Sequence, residues 1–192
     1  MENRSTQKAT IYAVGDSLTW GYPYGPEYSW TTMVEAALKQ PVINLGVNGA
    51  TTDDMRREII NILPDVEPRS IVIVTGGAND AFEGVSQERF LRNYRDMVER
   101  IQIARCQPVI GLTLPINEEP FGERVILFRE CLLDELKTES AWKDVLVVDF
   151  FRALAAPNGV SMDPLLAEGE CHPNKAGYRK MGEAAIDFFA SL

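Results

Sequence analysis

Ser17 and His172 are the first residues in this chain whose types promise chemistry. A serine hydroxyl is a poor nucleophile until a neighbouring base takes its proton during attack. His172 is the only histidine present, and imidazole is the side chain whose ordinary pKa lies near neutrality. Ser17 stands in Gly15-Asp16-Ser17-Leu18-Thr19, just after a β-branched run, and His172 stands in Cys171-His172-Pro173-Asn174, just before a helical stretch. Taken singly, each has a plainer reading: a helix N-cap for Ser17, a surface imidazole for His172. The elements around them decide between these readings.

Apolar runs of strand length alternate with segments of helical spacing. Strands are predicted at Thr10–Val14, Val42–Leu45, Ser70–Thr75, Pro108–Leu114 and Val145–Phe150. Helices are predicted at Ser29–Gln40, from Thr51 or Thr52 to Pro64, at Ser86–Cys106, from about Glu123 to Lys137, and at Lys175–Leu192. Strands that are apolar throughout, each followed by a helix, indicate a three-layer α/β/α sandwich around a parallel sheet of about five strands. The expected organisation is one domain over 1–192, with 1–9 a flexible N-terminus. In such folds ligands bind beyond the carboxyl ends of the strands. Three polar turns fall there: Gly15–Thr19, Asn44–Gly49 and Gly76–Asp80.

A net charge of −9 and scattered basic residues argue against a nucleic-acid partner, which needs clustered Lys and Arg. The three cysteines, Cys106, Cys131 and Cys171, have no metal-like spacing, so neither a metal nor a cofactor is expected. No run is long enough for a transmembrane span. MENRSTQKAT lacks the apolar stretch of a signal peptide, which leads to the expectation of a cytoplasmic chain. Neither GxGxxG nor the P-loop spacing follows the first strand, which weighs against a nucleotide-binding domain.

GDSLTWG, the glycine in NLGVNG, GGAND and HPNKAGY together resemble the four motif blocks of the SGNH (GDSL) hydrolase superfamily, in that family's order. The resemblance implies a lipase- or acylhydrolase-like esterase with Ser17 as nucleophile and His172 as general base. It implies an oxyanion hole from the Ser17 N–H, the Gly46 N–H and the Asn79 side-chain amide. The chemistry of those residues agrees. Glycine lets the backbone approach a substrate closely, and an amide donates to developing negative charge without a proton to lose.

The family usually has Asp-x-x-His, and here that aspartate position is Gly169. Glu168 is the preferred acid, ahead of Glu170 and Asp163, and a Ser-His dyad without an acid stays open. Asp16 adjoins Ser17 and is expected to turn into local hydrogen bonds rather than serve as the acid. Asp80 is expected to be structural, and a nucleophilic Cys171 is disfavoured because adjacent residues rarely face each other. Asp16, Trp20 and Tyr22 are the substrate-side candidates. Tyr24, Tyr28 and Trp30 either join an acyl or sugar pocket or pack the helix on the sheet. The expected partner is a small-molecule ester: short-chain acyl, acetylated carbohydrate, lysophospholipid or thioester. The competing reading is a catalytically weakened binding module on the same fold.

Overall fold

Runs of β-branched and aliphatic residues can be buried on both faces only when helices cover both sides of a sheet. The computed structural model, which describes residues 8–192, has that arrangement. Five strands, β1 (Ile11–Gly15), β2 (Val42–Gly46), β3 (Ile71–Thr75), β4 (Gln107–Leu112) and β5 (Leu146–Asp149), form one sheet in the order β2-β1-β3-β4-β5. Every pairing is parallel, and Gly15 at the end of β1 lies between Gly46 of β2 and Thr75 of β3. All five residues of β3 are buried.

The helices are α1 (Ser17–Trp20), α2 (Trp30–Leu38), α3 (Thr52–Ile62), α4 (Ala78–Phe82), α5 (Gln87–Ile103), α6 (Phe121–Thr138), α7 (Phe150–Leu154) and α8 (Lys175–Ala190). Helices α2, α7 and α8 pack together, as do α3, α5 and α6, which gives the two outer layers of an α/β/α sandwich. Trp30 and Phe150, both without exposure, meet with ring centroids 5.2 Å apart in the first layer. Phe90 stacks on Phe128 at 4.2 Å in the second.

The predicted strands and long helices are all present, with shifted ends. The fifth strand stops before Phe150 because the Asp149 carboxylate accepts the Arg152 N–H at 2.9 Å and caps α7 instead. Residues 1–7 of the expected flexible terminus lie outside the described residues. Ala9 is tied down, its carbonyl accepting from Gln40 Nε2 at 2.7 Å.

The connection from β1 runs to β2 on one side, and the chain then returns to β3 on the other side of β1. Between the ends of β1 and β3 the connections therefore diverge, leaving the crevice in which open α/β sheets bind ligands. Ser17 follows β1 and Asn79 follows β3. A small antiparallel hairpin, β6 (Ala167–Glu168) and β7 (His172–Pro173), brings His172 to the same edge.

Candidate active site

Asp16 makes the turn that presents Ser17. Its carboxylate caps α1 by accepting the Leu18 N–H at 2.9 Å, and its carbonyl accepts from Thr19 and Trp20 at 3.1 and 2.9 Å. Ser17 is the first residue of α1, so its own N–H has no partner within the helix and none elsewhere among the described residues. The buried Tyr178 hydroxyl braces the following loop by donating to the Tyr22 carbonyl at 2.6 Å.

His172 arrives from the other end of the sequence. Asn174 fixes it: its side chain caps α8 through the Ala176 and Gly177 N–H groups at 2.9 and 3.0 Å, and its amide donates to Leu165 and Ala167 carbonyls. The hairpin tip is held by the Asn117 N–H, which donates to the Glu170 carbonyl at 2.8 Å. The result is a contact of 3.1 Å between Ser17 Oγ and His172 Nε2. Partial burial lowers the His172 pKa from its ordinary value, because a poorly solvated imidazole resists protonation. The ring is therefore neutral and able to accept a proton near pH 7. Tyr22, 44% exposed, lies against it with ring centroids 4.7 Å apart.

Asn79, second residue of α4, donates one amide hydrogen to the Ala50 carbonyl at 2.9 Å. That bond orients the amide and leaves its second hydrogen without an acceptor. Asp80 is buried and structural, as expected: it accepts the Thr52 hydroxyl and N–H at 2.5 and 2.9 Å, tying α4 to the start of α3.

Four expectations change. Gly46 cannot offer its N–H, because Asn44 Oδ1 accepts it at 2.9 Å. A Cβ at Gly46 would meet the Trp20 nitrogen at 2.3 Å, so this glycine is needed for the close approach of α1 to β2. In the same loop the Gly49 N–H has no acceptor among the described residues, and Gly49 adjoins the Ala50 carbonyl that holds Asn79. Glu168 does not reach the imidazole: it accepts the Tyr24 hydroxyl at 2.5 Å. The group on His172 Nδ1 is instead the Cys171 thiol, with Sγ at 3.2 Å.

Asp16 is also excluded from substrate contact, since it has no exposure. Burial raises its pKa to about 7 against the lowering effect of the Leu18 N–H, and its second oxygen has no partner. Trp30 is a core residue, whereas Trp20 is half-buried, and Tyr24 and Tyr28 flank Lys175.

A cleft of about 450 Å³ opens beside Gly15, Gly49 and Ala50, with Leu45, Val47 and Met55 as apolar lining and Arg57 and Glu58 among its polar residues. No group of three metal-ligating side chains occurs among the described residues. Nor is any helix there long and apolar enough to cross a membrane.

Sequence reasoning missed Asn44, Gly49 and Tyr178. The second glycine of NLGVNG was a visible signal for Gly49. Asn44 and Tyr178 act through hydrogen bonds to backbone that spacing alone does not reveal.

The chain is also similar to known proteins along most of its length. Residues 13–180 match the GDSL-like lipase/acylhydrolase family. The chain is 25% identical over 171 residues to an arylesterase of Vibrio mimicus, covering 85% of this chain and 82% of that enzyme. It is 24% identical over 124 residues to thioesterase 1/protease 1/lysophospholipase L1 of Escherichia coli K12. That match covers 63% of this chain and 58% of the relative, little more than half its length. The solved structure of a G-D-S-L family protein from Desulfitobacterium hafniense DCB-2 superposes with a TM-score of 0.82 at 30% identity, covering 94% of this chain and 99% of that one.

Proposed function

The chain belongs to the GDSL-like lipase/acylhydrolase family, and we propose on that premise that it hydrolyses carboxylic esters through an acyl-serine intermediate. The observation that carries the reading is the 3.1 Å contact between Ser17 Oγ and His172 Nε2, beside an unclaimed Ser17 N–H. Ser17 attacks the ester carbonyl as His172 takes its proton, and the imidazolium then protonates the departing alcohol. Water, deprotonated by the same imidazole, attacks the acyl-serine and releases the acid. The oxyanion of each tetrahedral intermediate is stabilised by the Ser17 N–H, the Gly49 N–H and the second amide hydrogen of Asn79. One such donor is worth about 3 kcal/mol or more in the transition state.

The substrate proposed is a small ester. The cleft beside Gly49 is within the size range of small-molecule sites and combines apolar lining with a few polar groups. Tyr22, which lies against the His172 ring, and the half-buried Trp20 serve as its contact surface. The names of the relatives, an arylesterase and a thioesterase/lysophospholipase, indicate which acyl and leaving groups to test first.

Turnover of p-nitrophenyl acetate and butyrate tests the reading. Both Ser17→Ala and His172→Ala are expected to lose about 10³-fold or more in kcat; rates equal to wild type would refute it. The absence of a carboxylate on His172 Nδ1 among the described residues favours a second reading, a weakened binding module. Stoichiometric labelling of Ser17 by a fluorophosphonate argues against that one.

A further inference from the structure

We infer that Cys171 is the positioning residue for the His172 imidazole, its thiol standing where a Ser-His-Asp triad has its carboxylate. The inference rests on Ser17 and His172 acting as proposed above. When the Ser17 hydroxyl donates to Nε2, that nitrogen carries no hydrogen, so Nδ1 does. Nδ1 points at Cys171 Sγ, 3.2 Å away, and no other acceptor bonds it among the described residues. Glu168 is occupied by Tyr24. Glu170 is on the exposed tip of the hairpin, and its side chain has no hydrogen-bond partner among the described residues.

Neighbouring residues meet here for a local reason. In a strand, successive side chains point to opposite faces, but Cys171 lies in the turn before β7 rather than in the strand. The turn opens at Gly169, which has a left-handed φ of +67°, and its geometry lets the thiol fold onto the ring that follows.

The charge state of the thiol sets its effect. Burial, followed by the negative charges of Glu118, Glu170 and Asp16, pushes the Cys171 pKa up, so the group is a neutral thiol at neutral pH. It can accept the Nδ1 hydrogen and fix the tautomer and ring plane. Unlike a carboxylate, it gives the imidazolium no counter-ion. Tyr22 covers the ring without adding charge. The device therefore orients the base without raising its basicity.

Because His172 is the only histidine, the imidazole signals of untagged, ¹⁵N-labelled protein report it without assignment. Three variants, Cys171→Ala, Cys171→Ser and Cys171→Asp, are compared with wild type for kcat, KM, the rate of Ser17 labelling by a fluorophosphonate, and the His172 titration midpoint. Cys171→Ala is expected to slow kcat and labelling about tenfold with KM unchanged, the worth of one neutral hydrogen bond. Cys171→Ser should stay within about threefold of wild type. Cys171→Asp should raise the His172 midpoint by about one pH unit or more, carrying the acid limb of kcat/KM with it.

Equal labelling rates in wild type and Cys171→Ala, or an unmoved midpoint in Cys171→Asp, would overturn the assignment. If Cys171→Ala does not fold by circular dichroism, the midpoint in Cys171→Asp decides alone. A wild-type protein that takes no label at Ser17 would sink the hydrolase reading itself, a distinguishable result.

Discussion

Replacing Asp16 with asparagine separates the architecture of the turn that presents Ser17 from its charge. In the folded chain Asp16 has no exposure, and burial raises its pKa from 3.8 to about 7. A carboxyl that is harder to ionise when folded holds its proton in the native state over a range where the unfolded chain has lost it. The contribution of this carboxyl to stability is then greatest below pH 3.8 and is lost as pH rises through about 7. At 1.36 kcal/mol per pH unit, a gap of about three units amounts to about 4 kcal/mol in full. Part of that is already lost at pH 5, leaving about 2–3 kcal/mol to be lost between pH 5 and pH 8.

Asp16→Asn keeps an oxygen for the Leu18 N–H and removes the ionisation. Its buried NH₂ replaces an oxygen that already lacks a partner; any cost, about 1–3 kcal/mol, is independent of pH. Urea unfolding of both proteins at pH 5, 6, 7 and 8 therefore yields a stability difference that moves in the variant's favour by about 2–3 kcal/mol over the series. His172, whose pKa is lowered, is common to both chains and drops out of the difference, whereas Asp80, itself raised by burial, adds to the rise at Asp16 through its charge and is released from that repulsion in the variant. A difference that stays flat with pH would show that Asp16 is ionised in the fold.

Three further outcomes are expected. Asn79→Ala should lower kcat for p-nitrophenyl butyrate by about 10²–10³-fold with little change in KM, because the donor matters only when the oxyanion forms; a KM-only effect would remove it from the oxyanion site. Glu168→Gln should leave kcat/KM within about threefold of wild type, since the Tyr24 hydroxyl can still donate to the amide oxygen, and a loss of 10³-fold would restore Glu168 as the acid. Gly46→Ala should lower the thermal midpoint by several degrees, because the added Cβ meets the Trp20 backbone nitrogen and a shift costing about 1–3 kcal/mol follows. An unchanged midpoint would mean that α1 can move away freely.

The sequence was readable wherever burial imposes a pattern. β3 is apolar up to Thr75 because both its faces are covered, so its place in a parallel sheet could be inferred from that run together with the helices on either side of it. α5 was legible from its periodicity and from Ser86, whose hydroxyl accepts the Arg89 N–H at 3.2 Å. Ser17 and His172 could be paired because the blocks GDSLTWG and HPNKAGY resemble those of a known family and each stands beside a recognisable element. What escaped has a common physical origin, namely polar contacts that spacing does not encode. β6 and β7 have two residues each, too few for any period. Their register sets Glu168 opposite His172, yet the glutamate turns to Tyr24. The Asn44 amide captures the Gly46 N–H from two residues away, so the glycine nearest the strand end is the wrong one for an oxyanion. Helices α4 and α7 are five residues long and depend on local capping.

The contact from Ser17 to His172 spans 155 positions of sequence, and no continuous element joins the two residues. The imidazole is held in place by the hairpin and the Asn174 cap, not by the sheet that carries the serine. The Ser17–His172 contact is thus a latch across the fold: it closes only when the segment around α8 is seated on a completed sheet. Its integrity can be lost by a partial opening far smaller than global unfolding. Activity measured in rising urea should then fade before the far-ultraviolet circular dichroism of the five-stranded sheet and its helices, with the gap between the two curves giving the free energy of that opening.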